Sequence, residues 1–386
     1  MNKNIKVTYF FVSGRKNRIN SGEEYSKEFF YSYPDIKEKF NNTEIIEFND
    51  VQKISTFLNN CLKFFDKLIR KLTKLPFFMS EIINLTNLKK IINSDILIAT
   101  NDRIGLSIVP ILLFKKLTLK KFMSTNVFVL GLFSNLSNDL TIKALQKIIL
   151  NIYFRLFDNF IFIGKSEYEY ALNYSPKYKD KFIYIPFGID TNFWVPPLED
   201  TKKNDYVLFI GNDGYRDFKK VIDIANQLPE IEFVFISKQI NEEELTGSNV
   251  KLLKGHWNYN VLTDQELREI YHKAKLTIIP LIDSLQPSGQ SVALQSISCG
   301  TPVLISDTSG FWDRDKFYNE KNIFFMDNNS LDSWIIKIKH LLDNNKKLKD
   351  VSINGIKSVH SELNLENFNN KLFEVIGIYG NFGNKE

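Results

Sequence analysis

Cysteine is nearly missing from this chain of 386 residues: only Cys61 and Cys299 occur, far apart and each in an apolar helical context. That spacing excludes a disulfide framework and a thiolate metal site, and it suits a reducing cytoplasm. Long apolar runs are also lacking. The most apolar stretch, Ile96 to Phe114, is interrupted by Asn101, Asp102 and Arg103, so no segment is expected to span a bilayer. The N-terminus, MNKNIKVTYFFVS, begins a strand almost at once and lacks the apolar core and small-residue cleavage site of a secretory signal. Zinc-ligand spacings, a helix-turn-helix pattern and an RNA-binding aromatic signature are likewise missing, which argues against nucleic acid as a partner.

What is present is a chain with 44% hydrophobic and 25% charged residues, enough for an ordinary core and too long for one comfortable α/β domain. Charge is divided unevenly. Residues 1–190 carry 28 Lys and Arg against 18 Asp and Glu, whereas the remainder carries 22 against 27. With nucleic acid disfavoured, the basic half points to an anionic membrane surface. From Phe57 to Leu75, apolar Phe57, Cys61, Phe65, Leu68, Leu72 and Leu75 recur at helical spacing, with Lys63, Lys67, Arg70, Lys71 and Lys74 on the other side. This is the pattern of an interfacial helix, and equally of a surface helix that buries its stripe in a domain core.

Strand-like runs at Ile5–Val12, Ile96–Thr100, Val127–Leu132 and Asn159–Ile163 alternate with amphipathic stretches, as in a parallel sheet covered by helices. Near Ile183 to Pro197 the pattern turns into a short strand, a Gly turn and a Pro-rich linker. A second alternating series follows: strand 206–210, helix 218–227, strands 232–236 and 250–253, and helix 264–273. Two doubly wound domains are expected, 1–190 and 191–363, contributing to one cleft, with a C-terminal helix in 364–386 crossing back to the first.

The most informative stretch is Leu276 to Trp312, LTIIPLIDSLQPSGQSVALQSISCGTPVLISDTSGFW. It reads as strand, glycine turn, helix, Gly-Thr-Pro break and strand. Pro287-Ser288-Gly289-Gln290 leads into a helix whose free N–H groups favour an anion. On that helix Ser288, Ser291, Gln295 and Ser298 form a polar stripe opposite Ala293 and Ile297.

Three blocks, PFGIDTNFW, FIGNDGYRDFKKVIDIANQLPEIEFVFIS and Leu276 to Gly310, resemble a nucleotide-sugar-dependent glycosyltransferase of the GT-B fold, in the retaining family 4 group. The resemblance covers most of residues 183–363. Over residues 1–182 it rests on the sheet pattern and on SGRKNRINSGEEY, which looks like the family's glycine loop, with Gly22 at the position of interest.

The resemblance implies a two-domain α/β enzyme that takes a nucleotide-sugar as substrate, with no metal and no further cofactor. Arg216 and Lys219, with Lys220 as the competing choice, take the place of the family's Arg and Lys that neutralise the donor pyrophosphate. Three basic residues at a helix start oppose its dipole, which calls for an anion. Gly211 lies in the turn before them, and His256, in Gly255-His256-Trp257, falls where the family holds the base. Trp257 is a candidate to stack on that base or to pack in the core.

The family's two glutamates, eight positions apart, correspond to Pro287 and Gln295, so both acids are missing. Gln295 retains hydrogen bonding to ribose, and donor-sugar contacts fall to the backbone of Ser288, Gly289 and Gln290, with Ser291 next in line. The family's first-domain histidine has no counterpart either, since His256, His272, His340 and His360 all follow the linker. Asn101 and Asp102 are candidates for that wall or for helix capping.

The expected function is transfer of a sugar to a glycan or lipid-linked acceptor in cell-surface polysaccharide synthesis, in the cytoplasm or at the inner membrane face. The alternative is a non-catalytic nucleotide-sugar-binding or scaffold subunit with a degenerate site. A sugar-nucleotide epimerase is disfavoured because its chemistry needs acid and base groups that the site lacks.

Overall fold

The structure, a computed structural model, describes residues 5–48, 56–118, 122–198, 206–255 and 262–377. The chain divides into two compact units. The first comprises residues 1–21, 30–185 and 369–386, and the second residues 22–29 and 186–368. The short run 22–29 is therefore part of the second unit although first-unit sequence surrounds it. The helix at Leu365–Val375 changes unit partway along.

The first unit runs β1 (Val7–Phe11), α1 (Arg15–Asn20), α2 (Tyr33–Lys39), β2 (Thr43–Glu47), α3 (Thr56–Thr73), α4 (Leu85–Ile92), β3 (Ile96–Ala99), α5 (Asp102–Thr118), β4 (Ser124–Val129), α6 (Leu140–Leu156), β5 (Asn159–Phe162), α7 (Lys165–Tyr174) and β6 (Phe182–Tyr184). Its six strands are parallel in the order β2-β1-β3-β4-β5-β6. β1 and β3 are apolar, and both are buried along their whole length, as helices on both faces of a parallel sheet require. β4 starts at Ser124, three residues before its apolar run. Ser124, Thr125 and Asn126 are polar but buried, and the Asn126 amide donates to the Leu97 carbonyl, so an internal polar network replaces hydrophobicity as the strand signal.

The second unit runs β7 (Tyr206–Ile210), α8 (Phe218–Gln227), β8 (Glu232–Ile236), β9 (Val250–Leu253), α9 (Asp264–Lys273), β10 (Leu276–Ile279), α10 (Gln290–Ser298), β11 (Val303–Ser306), β12 (Phe324–Met326), α11 (Leu331–Leu342), α12 (Asn345–Glu362) and the first residues of α13 (Leu365–Val375). The strand order is β12-β11-β10-β7-β8-β9, all parallel. Read from the β9 edge this is the 3-2-1-4-5-6 order of dinucleotide-binding sheets, whose order reverses between β7 and β10. The core beneath it joins Phe209, Phe233, Phe235, Ile278, Leu304 and Trp334.

One buried cluster in the first unit carries a titration signature. Glu167 accepts hydrogen bonds from the Gly131 and Phe133 amides at 2.9 and 3.2 Å, beside Asp102, which accepts from the Leu130 amide at 2.9 Å. Burial pushes Glu167 up to about 7, and burial together with the Glu167 charge raises Asp102. A carboxylate whose folded pKa is raised contributes stability below its unfolded pKa and loses it as pH rises through the folded value. The wild-type chain should therefore lose about 3 kcal/mol from this cluster between roughly pH 5 and pH 8, a dependence that Glu167→Gln removes in large part. Unfolding free energies measured across that range with equal slopes for both proteins would remove the assignment.

Candidate functional site

At the sheet's switch point the loops after β7 and β10 pair with each other. The Ile282 amide donates to Tyr215 O at 2.9 Å, the Asp217 amide donates to Pro280 O at 3.0 Å, and Arg216 and Leu281 form an isolated bridge. This pairing fixes Arg216 between the two loops, where an open α/β sheet presents its ligand crevice.

Arg216 is buried, 4% exposed, and burial lowers its pKa against the opposing pull of Asp213. A guanidinium stays charged at neutral pH regardless. Its Nη1 lies 3.1 Å from the Asp213 carboxylate, yet the alignment is poor and Nη1 makes no hydrogen bond. A glycine makes room for the side chain. A Cβ on Gly211 would stand 2.5 Å from the Arg216 Nε, while one on Gly289 would lie 3.4 Å from Nη1 and meet Ile279 first, at 2.9 Å.

Gly289 also starts α10, with a φ of 81°, a left-handed value that favours glycine, and no side chain caps the helix. Ser288 beside it is buried, and its hydroxyl has no hydrogen-bond partner. A buried guanidinium N–H, a buried hydroxyl and an uncapped helix start thus meet around one glycine. This arrangement suits an anion.

The basic pair on α8 is divided. The Lys219 ammonium is exposed and held by Asp223 at 2.8 Å, while Lys220 is more enclosed and held by Asp217 at 2.6 Å. Asp217 is also the N-cap of α8. The anion that three cations at a helix start require is therefore already supplied by Asp213, Asp217 and Asp223, so helix-dipole reasoning alone does not demand a ligand there.

The polar stripe on α10 is split as well. Gln290 is buried and Ser291 half-buried in the first turn, with Ser288 and Pro287 just before them. Further along, the side chains are used internally. The Ser298 hydroxyl donates to the Trp194 carbonyl and pairs with His360 Nε2. Gln295 is 4% exposed; its Nε2 donates to Glu28 Oε1 at 2.8 Å, and its Oε1 accepts from the Tyr271 hydroxyl at 3.2 Å. Both ends of the amide are occupied, which gives Gln295 a role inside the second unit.

Glu28 is a residue that sequence reasoning missed. It is fully buried, accepts from Trp194 Nε1 at 2.8 Å as well as from Gln295, and is raised in pKa by burial. Ser26 fixes the same segment by donating to Asp264 at the start of α9. Gly22, which opens it, has a φ of 74° and an exposed position. Only the flanking glycine signal, SGEEY, marked this segment. Asn212 was also missed: its side chain donates to Gly255 O at 2.9 Å and accepts from the Lys238 amide at 2.8 Å, tying together the carboxyl ends of β7, β8 and β9.

His256 and Trp257 lie outside the described residues. Asn101 Oδ1 accepts from the Ile104 amide at 2.9 Å, which is helix capping, and Asp307 pairs with Arg314. His272 is buried against the Val195 carbonyl at 2.7 Å.

Comparison with known structures identifies the fold. Sucrose-phosphate synthase of Thermosynechococcus elongatus is similar with a TM-score of 0.64 at 12% identity, over 96% of this chain and 98% of that one. HepE of Anabaena, solved with UDP and glucose, gives 0.67 at 12% identity over 97% and 100%. A glycosyltransferase from Rickettsia africae gives 0.60 at 13% identity over 96% and 98%. No curated protein sequence matches. The chain has the GT-B fold of glycosyltransferases. Residues 190–358 match the family described as glycosyl transferases group 1.

Removing Glu28 leaves the buried Gln295 Nε2 and Trp194 Nε1 without an acceptor. Glu28→Ala is expected to cost about 2–4 kcal/mol in chemical denaturation, and Glu28→Gln, whose Oε1 can still accept from both donors, much less. Unchanged stability of Glu28→Ala would show that the network is incidental.

Proposed function

We propose that the protein is a retaining, metal-independent glycosyltransferase that moves a sugar from a UDP-sugar to a glycan or lipid-linked acceptor of cell-surface polysaccharide synthesis, at the anionic inner face of the membrane. The observation that carries this reading is the cluster at Gly289: Arg216 Nη1 and Ser288 Oγ, both buried and without hydrogen bonds, beside the uncapped start of α10. A diphosphate seated there would satisfy all three. Fixed positive charge would stabilise the leaving phosphate as its charge develops, which is the part a metal plays in other transferases.

The solved neighbour holding UDP and glucose supports uracil as the donor base. In this reading Arg216 is the principal cation. Lys219 and Lys220 add charge once the donor draws them from Asp223 and Asp217. The backbone of Ser288, Gly289, Gln290 and Ser291 holds phosphate and sugar oxygens, and the turn at Gly211 keeps the arginine in place. With Pro287 in place of the first acid and Gln295 engaged by Glu28, the donor phosphate oxygen takes the acceptor proton. The same loss of acids is what favours the second reading, a nucleotide-sugar-binding subunit without turnover.

A panel of UDP-, GDP- and ADP-sugars in chelator decides between them. UDP-sugars should raise the melting temperature, with slow release of UDP. Arg216→Ala and Gly211→Ala should each weaken donor binding by about tenfold to a hundredfold, the first by removing the cation and the second by displacing it. Stabilisation without turnover when acceptors are supplied would establish the binding subunit, and unchanged affinity of Arg216→Ala would refute the pyrophosphate assignment.

A further inference from the structure

The first unit carries an apolar face that its own fold leaves exposed. On α3, Phe57, Phe64, Phe65 and Leu72 are each at least half exposed, and on α6 Leu140 and Ile148 are more than half exposed. The Phe57 to Leu75 stripe is thus mainly a surface feature, since of its six residues only Leu75 is fully buried. The polar side chains of α3 that do turn inward have structural duties: Asp66 accepts from the Met79 and Ser80 amides, and Thr73 donates to the Ile69 carbonyl.

Between these helices the surface opens into a pocket of about 340 Å³, lined by Ile69 and Leu72 of α3, Val109 of α5, and Leu145, Ile149 and Ile152 of α6. That volume is at the small end of ligand pockets, but a polar ligand would find no partner, because the Thr73 hydroxyl is already committed. The walls suit a hydrocarbon chain.

The charge around the face selects its occupant. α3 and the residue after it carry Lys63, Lys67, Arg70, Lys71 and Lys74, and α6 carries Lys143, Lys147 and Arg155; the two helices hold one acidic residue, the buried Asp66. Two copies meeting through this face would bring like charges together, whereas an anionic lipid surface complements it. Lysines that flank an apolar stripe keep their ammonium groups among headgroups while their stems cover hydrocarbon.

We propose that α3, α5 and α6 form a membrane-docking face that lies on an anionic phospholipid bilayer with one acyl chain entering the pocket. This deepens the membrane-facing part of the proposed function by naming the surface and the mode of attachment.

The test uses the full chain with vesicles of phosphatidylcholine alone or mixed with phosphatidylglycerol. Flotation should show binding to the mixed vesicles, weakening as salt screens the attraction. Lys63→Glu/Lys67→Glu/Lys71→Glu should reduce it by about tenfold or more, and Phe65→Asp, on the exposed side, should do the same. For the pocket, Leu145→Trp should lose fluorescence on vesicles with brominated acyl chains. All variants should retain the parent's melting temperature and its response to UDP-sugar, so donor binding is scored separately from lipid binding. No binding to anionic vesicles would overturn the proposal, as would binding without quenching at Leu145→Trp, or a dimer in solution that the charge reversal dissolves.

Discussion

A guanidinium held out of water with an unused donor is the constraint around which the second unit is arranged. Arg216 reaches its place because Gly211 has no side chain to occupy it and because two loops pair across the switch point between β7 and β10. Each of those features has a cost, since glycines loosen the unfolded chain and burial of a cation sacrifices hydration. The sheet order explains why the cost falls there. Only at the reversal do two adjacent strands send their following helices to opposite faces and leave a gap between the loops.

The amide at position 295 follows from the same unit. A glutamate at position 295 would face the Glu28 carboxylate across a hydrogen-bond distance in a fully buried setting, and two like charges there repel strongly. An amide instead donates to Glu28 and accepts from Tyr271, so the choice of residue here is chemically coupled to one far away in sequence. Glu28, Trp194 and Gln295 join segments separated by more than 160 positions. The PFGIDTNFW motif, which reads as a linker, thereby supplies a buried anchor of the second unit.

Much of the fold was legible, for identifiable reasons. β1, β3, β5, β7 and β10 are apolar runs bounded by turn residues, and the Gly-Thr-Pro break is a helix end because Gly300, with a φ of 82°, takes the left-handed position after α10. β2 was not read, because its Thr43 and its glutamates hide a strand that pairs with β1 along its whole length. β12 has only three residues, too few for any period to appear. At the candidate site, residues close to the glycine turns were legible, since Gly289 and the residues beside it announce their backbone. Glu28 and Asn212 act through partners distant in sequence, and no local pattern marks them.

Two buried charge clusters, one in each unit, differ in a way that bears on which of them awaits a ligand. Asp102 and Glu167 are both carboxylates, and desolvation raises both, so the cluster relieves itself by holding protons. The Leu130, Gly131 and Phe133 amides donate to it, while Asp102 Oδ1 stays buried without a hydrogen bond. Arg216 has no such escape. Burial lowers its pKa but a guanidinium does not shed its proton near neutrality, so Nη1 keeps an open hydrogen bond even with the Asp213 carboxylate 3.1 Å away. A buried acid that can neutralise itself is compatible with a purely structural role, whereas a buried base that cannot, placed beside an uncapped helix start and an unpartnered hydroxyl, suits an anion.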